Sequence, residues 1–194
     1  MDKKEKNLRK EFLIDIQKEA FLCEVLAQKL LKEGINASNT VIVTVSTDYS
    51  SVIGQFLRHA LSYGGEICDG FGIDVPYPDE TWTKQYVIDL HSALEANKRL
   101  FTNGETLLLV EAGVIRGGNY KFVTDFLDKN IANEYKTSSM FENVGSAFKS
   151  DFVAAYYDNE IQDLTFWWEK KNNHWLVNKP NNLESDGFSF ETGV

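Results

Sequence analysis

The chain has little of what holds proteins together by covalent or metal bonds. Its 194 residues include two cysteines, Cys23 and Cys68, and three histidines, His59, His91 and His174. The cysteines lie far apart and match no metal spacing, so they read as isolated thiols of a reducing compartment rather than as a disulfide framework. The histidines show no paired metal spacing either and read as structural or surface groups. Long apolar runs are missing: none approaches the roughly 18 residues that span a bilayer, and the opening Met-Asp-Lys-Lys-Glu-Lys has no apolar segment behind it. Neither a membrane span nor export is expected, which places the protein in the cytoplasm. Basic charge is in deficit, with 20 Lys and Arg against 29 Asp and Glu and a net charge of −9. That balance repels phosphate backbones and argues against nucleic acid as the main partner. Any anionic ligand has to be held by a few well-placed donors. No Gly-x-Ser-x-Gly elbow, Walker loop or zinc signature occurs, which leaves hydrolase, P-loop and zinc-enzyme readings without support.

What is present is the balance of an ordinary globular domain, 43% hydrophobic and 25% charged, with length for one domain and an accessory flap. Residues 7 to 33 carry Phe12, Ile16, Ala20, Cys23, Ala27 and Leu30 at the spacing of a long amphipathic helix, ended by Gly34. Thr40 to Val45 is β-branched almost throughout, as suits a central parallel strand covered on both faces. Ser46, Thr47 and Asp48 follow as possible caps, and Val52, Ile53, Phe56, Leu57, Ala60 and Leu61 then continue at helical spacing. Residues 64 to 83, with several glycines and two prolines, read as an irregular flap or hairpin. A helix is expected from about Lys84 to Phe101 and a second buried strand from Thr106 to Val110. After a glycine turn comes a further helix with Phe122, Val123, Phe126 and Leu127 inward. Phe152 to Tyr157 and Leu164 to Trp168 read as two more strands, and the polar tail from Asn172 as an extended end. Two strand–turn–helix units joined by a helix imply an α/β fold with a parallel sheet and a ligand crevice at the carboxyl ends of its strands.

The clearest chemical feature is the turn Arg116-Gly117-Gly118-Asn119. Two glycines after a buried strand permit positive φ and close approach, so that N–H groups converge at the start of the next helix and favour an anion. Arg116 would add charge and a bidentate fork, and Asn119 can cap the helix or donate to a ligand oxygen. The plainer alternative is a tight strand-to-helix turn with Arg116 solvated at its edge. Similarly, of Trp167 and Trp168 one faces inward and one outward on a strand, as core and cover or as a stacking platform for a ring. Lys149 stands at a strand start, either solvated or able to read an exocyclic oxygen.

The segment Leu108-Leu109-Val110-Glu111-Ala112-Gly113-Val114-Ile115-Arg116-Gly117-Gly118-Asn119 resembles the diphosphoribosyl-binding signature of type I phosphoribosyltransferases. That signature is an apolar strand, two acidic residues, a short stretch and Thr-Gly-Gly-Thr. Glu111 takes the first acidic place and Ala112 the second, and Arg116 to Asn119 take the glycine turn. Val41 to Val45 with its following loop is similar to the family's first strand and pyrophosphate loop. Lys149-Ser150-Asp151-Phe152-Val153 and Asp163 to Glu169 resemble the base-binding end of the purine-type members. The resemblance implies a phosphoribosyltransferase-like three-layer fold with a central, mainly parallel sheet, helices on both faces and a small flap or hood. Residues 37–171 would form that domain, after an N-terminal helical segment at 1–36 and before a polar tail at 172–194. It also implies a 5′-phosphate on Arg116, Gly117, Gly118 and Asn119, ribose on Glu111, pyrophosphate at Ser46 and Thr47, and a purine-type base at Lys149, Trp167 and Trp168. Mg²⁺ would be held through Glu111. Topology separately allows Glu111 and Asp48 to meet at strand ends in one crevice, where they would act as catalytic acid and base on a ribosyl ligand. Two departures stand out: Ala112 supplies no second carboxylate, and Asp48 lies where a pyrophosphate would be repelled. Both a transferase acting on phosphoribosyl pyrophosphate and a non-catalytic nucleotide or sugar-phosphate sensor fit these residues. Self-association as a homodimer through the N-terminal helix is compatible with either.

Overall fold

The computed structural model describes residues 10–45, 47–62, 66–75, 83–158, 161–166 and 188–189; the side chains of 10–13, 47–49, 51, 83–86, 161–166 and 188–189 fall outside that description. The first strand, β1 (Lys10–Ile14), leads into helix α1 (Ile16–Lys32), then β2 (Thr40–Val45), α2 (Thr47–Leu61) and β3 (Asp69–Ile73). There follow α3 (Thr83–Asn97), β4 (Thr106–Val114), α4 (Gly118–Asn130), β5 (Tyr135–Asn143), β6 (Phe152–Tyr157), β7 (Ile161–Phe166) and the short β8 (Phe188–Ser189).

The main sheet has the order β3-β2-β4-β5-β6-β8. Its first five strands run parallel, and β8 closes the edge antiparallel to β6. A separate ladder joins β1 to β7 in parallel. Every residue of β2 is buried, as expected of a strand covered on both sides. The alternation of side chains along β4 assigns the layers. Leu108, Val110 and Ala112 join Leu22, Leu26 and Leu30 of α1 and Ile53 and Leu57 of α2 in one core. Leu107 and Leu109 join Leu90 and Leu94 of α3 and Val123 and Leu127 of α4 in the other. This is the α/β architecture with helices on both faces.

Several elements differ from the sequence expectation. The periodicity across residues 7 to 33 merges two elements: Phe12 and Leu13 sit opposite Leu164 and Thr165 in a strand ladder, and the helix begins only after Asp15. The Asp15 carboxylate accepts from the Lys18 N–H at 2.8 Å, a cap that restarts the chain as helix. α1 then packs into the same core as α2 and the sheet. Within the expected flap, Asp69–Ile73 is an edge strand paired to β2; a Cβ at Gly70 would lie 2.7 Å from the Ile42 carbonyl oxygen, so this glycine serves close strand packing. Residues 63–65 and 76–82 of that region lie outside the described residues. β5 has no apolar signature, and β4 runs four residues beyond its expected end at Val110.

Candidate functional site

Each helix that follows a parallel strand begins at the strand's carboxyl end. β2 leads through α2 to β3 on one side, whereas β4 leads through α4 to β5 on the other, so the chain diverges between neighbouring strands β2 and β4. Such a switch point is where open α/β sheets form a crevice. The starts of α2 and α4 flank the end of β4 there. Ser50, fully buried in α2, fixes the first of them: its Oγ accepts from the Ala112 N–H at 3.2 Å.

The turn into α4 divides its glycines by role. Gly117 is the N-cap residue at φ +78°, a left-handed conformation, and no side chain caps the helix. A Cβ on Gly117 would collide with the Cβ of Phe148 and lie 3.1 Å from its Cγ. Gly118 has open space where its Cβ would point. Lys121 is the first residue to return an N–H into the helix, to the Gly117 carbonyl at 2.9 Å, which leaves the N–H groups of Gly118, Asn119 and Tyr120, as at any helix start, without a partner among the described residues. Arg116 is exposed immediately before them. One glycine is thus shaped by backbone and packing, and the other leaves open space beside the helix start.

Because β4 continues to Val114, Glu111 and Ala112 lie within the strand and point to opposite faces. Ala112 belongs to the α1–α2 core, while Glu111 turns toward α4 and accepts from Asn119 Nδ2 at 2.9 Å. Its second oxygen is buried without a hydrogen-bond partner. Burial lifts the Glu111 carboxyl to about 7, against the stabilising Asn119 hydrogen bond. The pair therefore orients Asn119 beside the free N–H groups. Among the described residues Glu111 is the one carboxylate at this turn; one of its oxygens is bound to Asn119 and Ala112 adds none, a poor donor set for Mg²⁺ by itself, while the Asp48 side chain falls outside the description. Among the described residues no group of three or more His, Cys, Asp or Glu side chains could hold a metal ion.

Of the other residues singled out in the sequence, Thr47 and Asp48 have their backbone at the start of α2 and their side chains outside the description. Ser46, Trp167, Trp168, His174 and nearly all of the tail lie outside the described residues. Lys149 sits exposed in the β5–β6 loop, donating to the Val144 carbonyl at 3.0 Å and lying 3.4 Å from the fully buried Glu142 carboxylate. His59 and His91 are exposed. Burial pushes the Cys68 thiol up to about 11 and the Cys23 thiol higher still, with Glu19 adding to the latter, so both are unreactive.

Sequence reasoning missed Tyr120 and Phe148. Tyr120 is fully buried and donates through its hydroxyl to the carbonyls of Ser138 and Leu109, tying α4 to β4 and β5. Its spacing from Val123, Phe126 and Leu127 was a usable helical signal. Phe148 stacks at 5.1 Å on the Tyr120 ring from an irregular loop, where no periodicity could reveal it.

Sequence comparison finds no matching family model and no matching curated protein. Solved structures do match. A purine phosphoribosyltransferase from Pyrococcus horikoshii Ot3 aligns over 88% of this chain and 99% of its own, at TM-score 0.58 and 14% identity. The xanthine-guanine-hypoxanthine phosphoribosyltransferase of Helicobacter pylori aligns over 82% of this chain and 93% of its own, at 0.52 and 13%. A hypothetical protein from Neisseria gonorrhoeae with bound ppGpp aligns over 85% and 92%, at 0.65 and 12%. At these identities the likeness concerns architecture, and it agrees with the strand order and layers described above: the chain has the α/β fold of the phosphoribosyltransferases.

Proposed function

We propose that the protein binds a small ligand containing ribose 5-phosphate, such as a nucleotide, at the carboxyl edge of β4. The phosphate would lie on the N–H groups of Gly118, Asn119 and Tyr120 with Arg116 beside it, and the ribose would face Asn119 as oriented by Glu111. The observation that carries this reading is the uncapped first turn of α4, open at Gly118 and placed at the switch point of the sheet. A helix start of this kind offers converging donors and a positive dipole end. Support also comes from the structural neighbours, two described as purine phosphoribosyltransferases and one holding ppGpp, a nucleotide.

Between turnover and binding alone, the side chains favour binding. Phosphoribosyl transfer breaks the bond between C1′ and a pyrophosphate oxygen as positive charge develops on the ribose ring. It therefore needs a neutralised leaving group and stabilising charge at the ribose. Ala112 contributes no charge, and Glu111 is buried, poised near neutrality and bonded to Asn119. A nucleotide or sugar-phosphate sensor is accordingly the preferred function, with the transferase as the second reading that the fold keeps open.

Calorimetric titration with adenosine and guanosine monophosphates and with phosphoribosyl pyrophosphate tests the binding site. Gly118→Asp is the decisive variant, because its side chain has room and a carboxylate suits a helix start. Its melting temperature should hold while affinity falls on the order of 100-fold, since like charges about 4 Å apart near a protein surface repel by a few kcal/mol. Absence of heat with every compound would remove the binding reading. Release of pyrophosphate with any base would replace the sensor by the transferase.

A further inference from the structure

The turn at Gly117 is shaped from outside its own helix, by the loop between β5 and β6. Residues 144–151 are fixed at both ends. At the β5 end, the Gly145 N–H donates to Asn143 Oδ1 at 2.7 Å, the Ser146 N–H to the Asn143 carbonyl at 2.9 Å, and Lys149 to the Val144 carbonyl at 3.0 Å. Toward β6, the Ser150 N–H donates to Glu142 Oε2 at 2.8 Å, and Asp151 exchanges hydrogen bonds with Thr137 at 2.8 to 3.0 Å. A loop tied down in this way presents Phe148 at a set height above the turn.

Phe148 meets the turn with backbone as well as ring. The Cβ position of Gly117 would lie 3.2 Å from Phe148 Cα and inside contact distance of its Cβ. The ring lies at 32° to Tyr120, whose buried hydroxyl is bonded to β4 and β5. Gly117 is therefore held in its left-handed conformation between a fixed loop and a fixed helix start. The next three N–H groups inherit their directions from that conformation.

We propose that Phe148 is a positioning residue for the anion-binding turn: through its ring, whose Cγ lies 3.1 Å from the Cβ position of Gly117 and which rests against Tyr120, it holds the α4 N–H groups in the converging arrangement a phosphate needs. The inference rests on the proposed function for its ligand, but its geometric part can be measured without one. The role of Phe148 is to act through Gly117 and Tyr120 and not by contact with the phosphate. Contacts made by a ligand with residues 144–151 would reach the turn through this side chain, so the two parts of the site are mechanically joined.

The test compares Phe148→Ala with Phe148→Tyr, which keeps the ring, and Phe148→Leu, a milder truncation should the alanine variant fold poorly. In the ligand-free proteins, backbone amide resonances of Gly117, Gly118 and Asn119 should shift and broaden in the alanine and leucine variants and remain near their wild-type positions in the tyrosine variant. With adenosine monophosphate as probe, alanine should weaken binding about tenfold or more, the scale associated with misplaced binding groups, and tyrosine should restore it to within about threefold. Unchanged turn resonances in folded Phe148→Ala or Phe148→Leu, or wild-type affinity in either, would overturn the proposal. Failure of the wild-type protein to bind any phosphate would instead remove the functional reading, and the amide spectra would still decide whether Phe148 shapes the turn.

Discussion

At the amino edge of the sheet a recess of about 1040 Å³ opens between the end of α1 and the starts of β4, β5 and β6, with Lys29, Lys32 and Lys136 on its walls. At the carboxyl edge the start of α4 offers three N–H groups and one exposed arginine. That recess is the poorer anion site. Lys29 already donates to the Val153 carbonyl at 2.7 Å and Lys136 pairs with Glu134 at 3.3 Å. The helix end above them presents carbonyl oxygens, which disfavour negative charge. At the other edge the dipole has the opposite sign and its donors are uncapped. Helix polarity and uncommitted donors distinguish the two edges.

The contrast should break most severely at Gly117. Gly117→Ala forces a side chain into the left-handed region and against Phe148, and should destabilise the protein by about 3 kcal/mol in urea unfolding. A loss below about 1 kcal/mol would mean that the turn is not confined as described. The next largest effect concerns Glu111. Its folded carboxyl titrates at about 7 instead of 4.5, so folding takes up a proton between these values and stability falls as pH rises through that window. Glu111→Gln removes this slope, and the difference in unfolding free energy between the two proteins should change by up to about 3 kcal/mol from pH 4.5 to pH 7. Parallel stability profiles would show that Glu111 is solvated. The smallest effect compares the two edges directly. Arg116→Ala should weaken nucleoside monophosphate binding about tenfold, the value of one charge-assisted hydrogen bond, while Lys32→Ala at the amino edge should leave it within about twofold. Equal losses would erase the distinction.

Much of this arrangement was legible in the sequence because it depends on local chemistry. β-branched residues from Thr40 to Val45 and the glycine turn after Val114 located two strand–turn–helix units and the edge where they meet. What escaped depends on partners distant in sequence. β5 is buried from Thr137 onward although it reads Tyr-Lys-Thr-Ser-Ser-Met-Phe-Glu-Asn, and some of its polar groups bond to neighbours: Ser138 Oγ donates to the Leu109 carbonyl and Thr137 Oγ1 to Asp151. β4 outlasts its apolar run because the carboxyl of Glu111, the first charged residue after Val110, is accommodated by Asn119 eight positions on. The start of α1 was blurred because Phe12 and Leu13 continue a helical spacing by coincidence, while their pairing partners lie in β7.

That β1–β7 ladder joins positions about 150 residues apart, Lys10 with Ile161 and Ile14 with Phe166. Closing so long a loop by itself costs about 4 kcal/mol of chain entropy, a penalty reduced when the main sheet has already brought the two strands together, so this pairing is expected late in folding. The ladder is thus a natural clock for the end of folding: a probe on β1 should report its slowest phase.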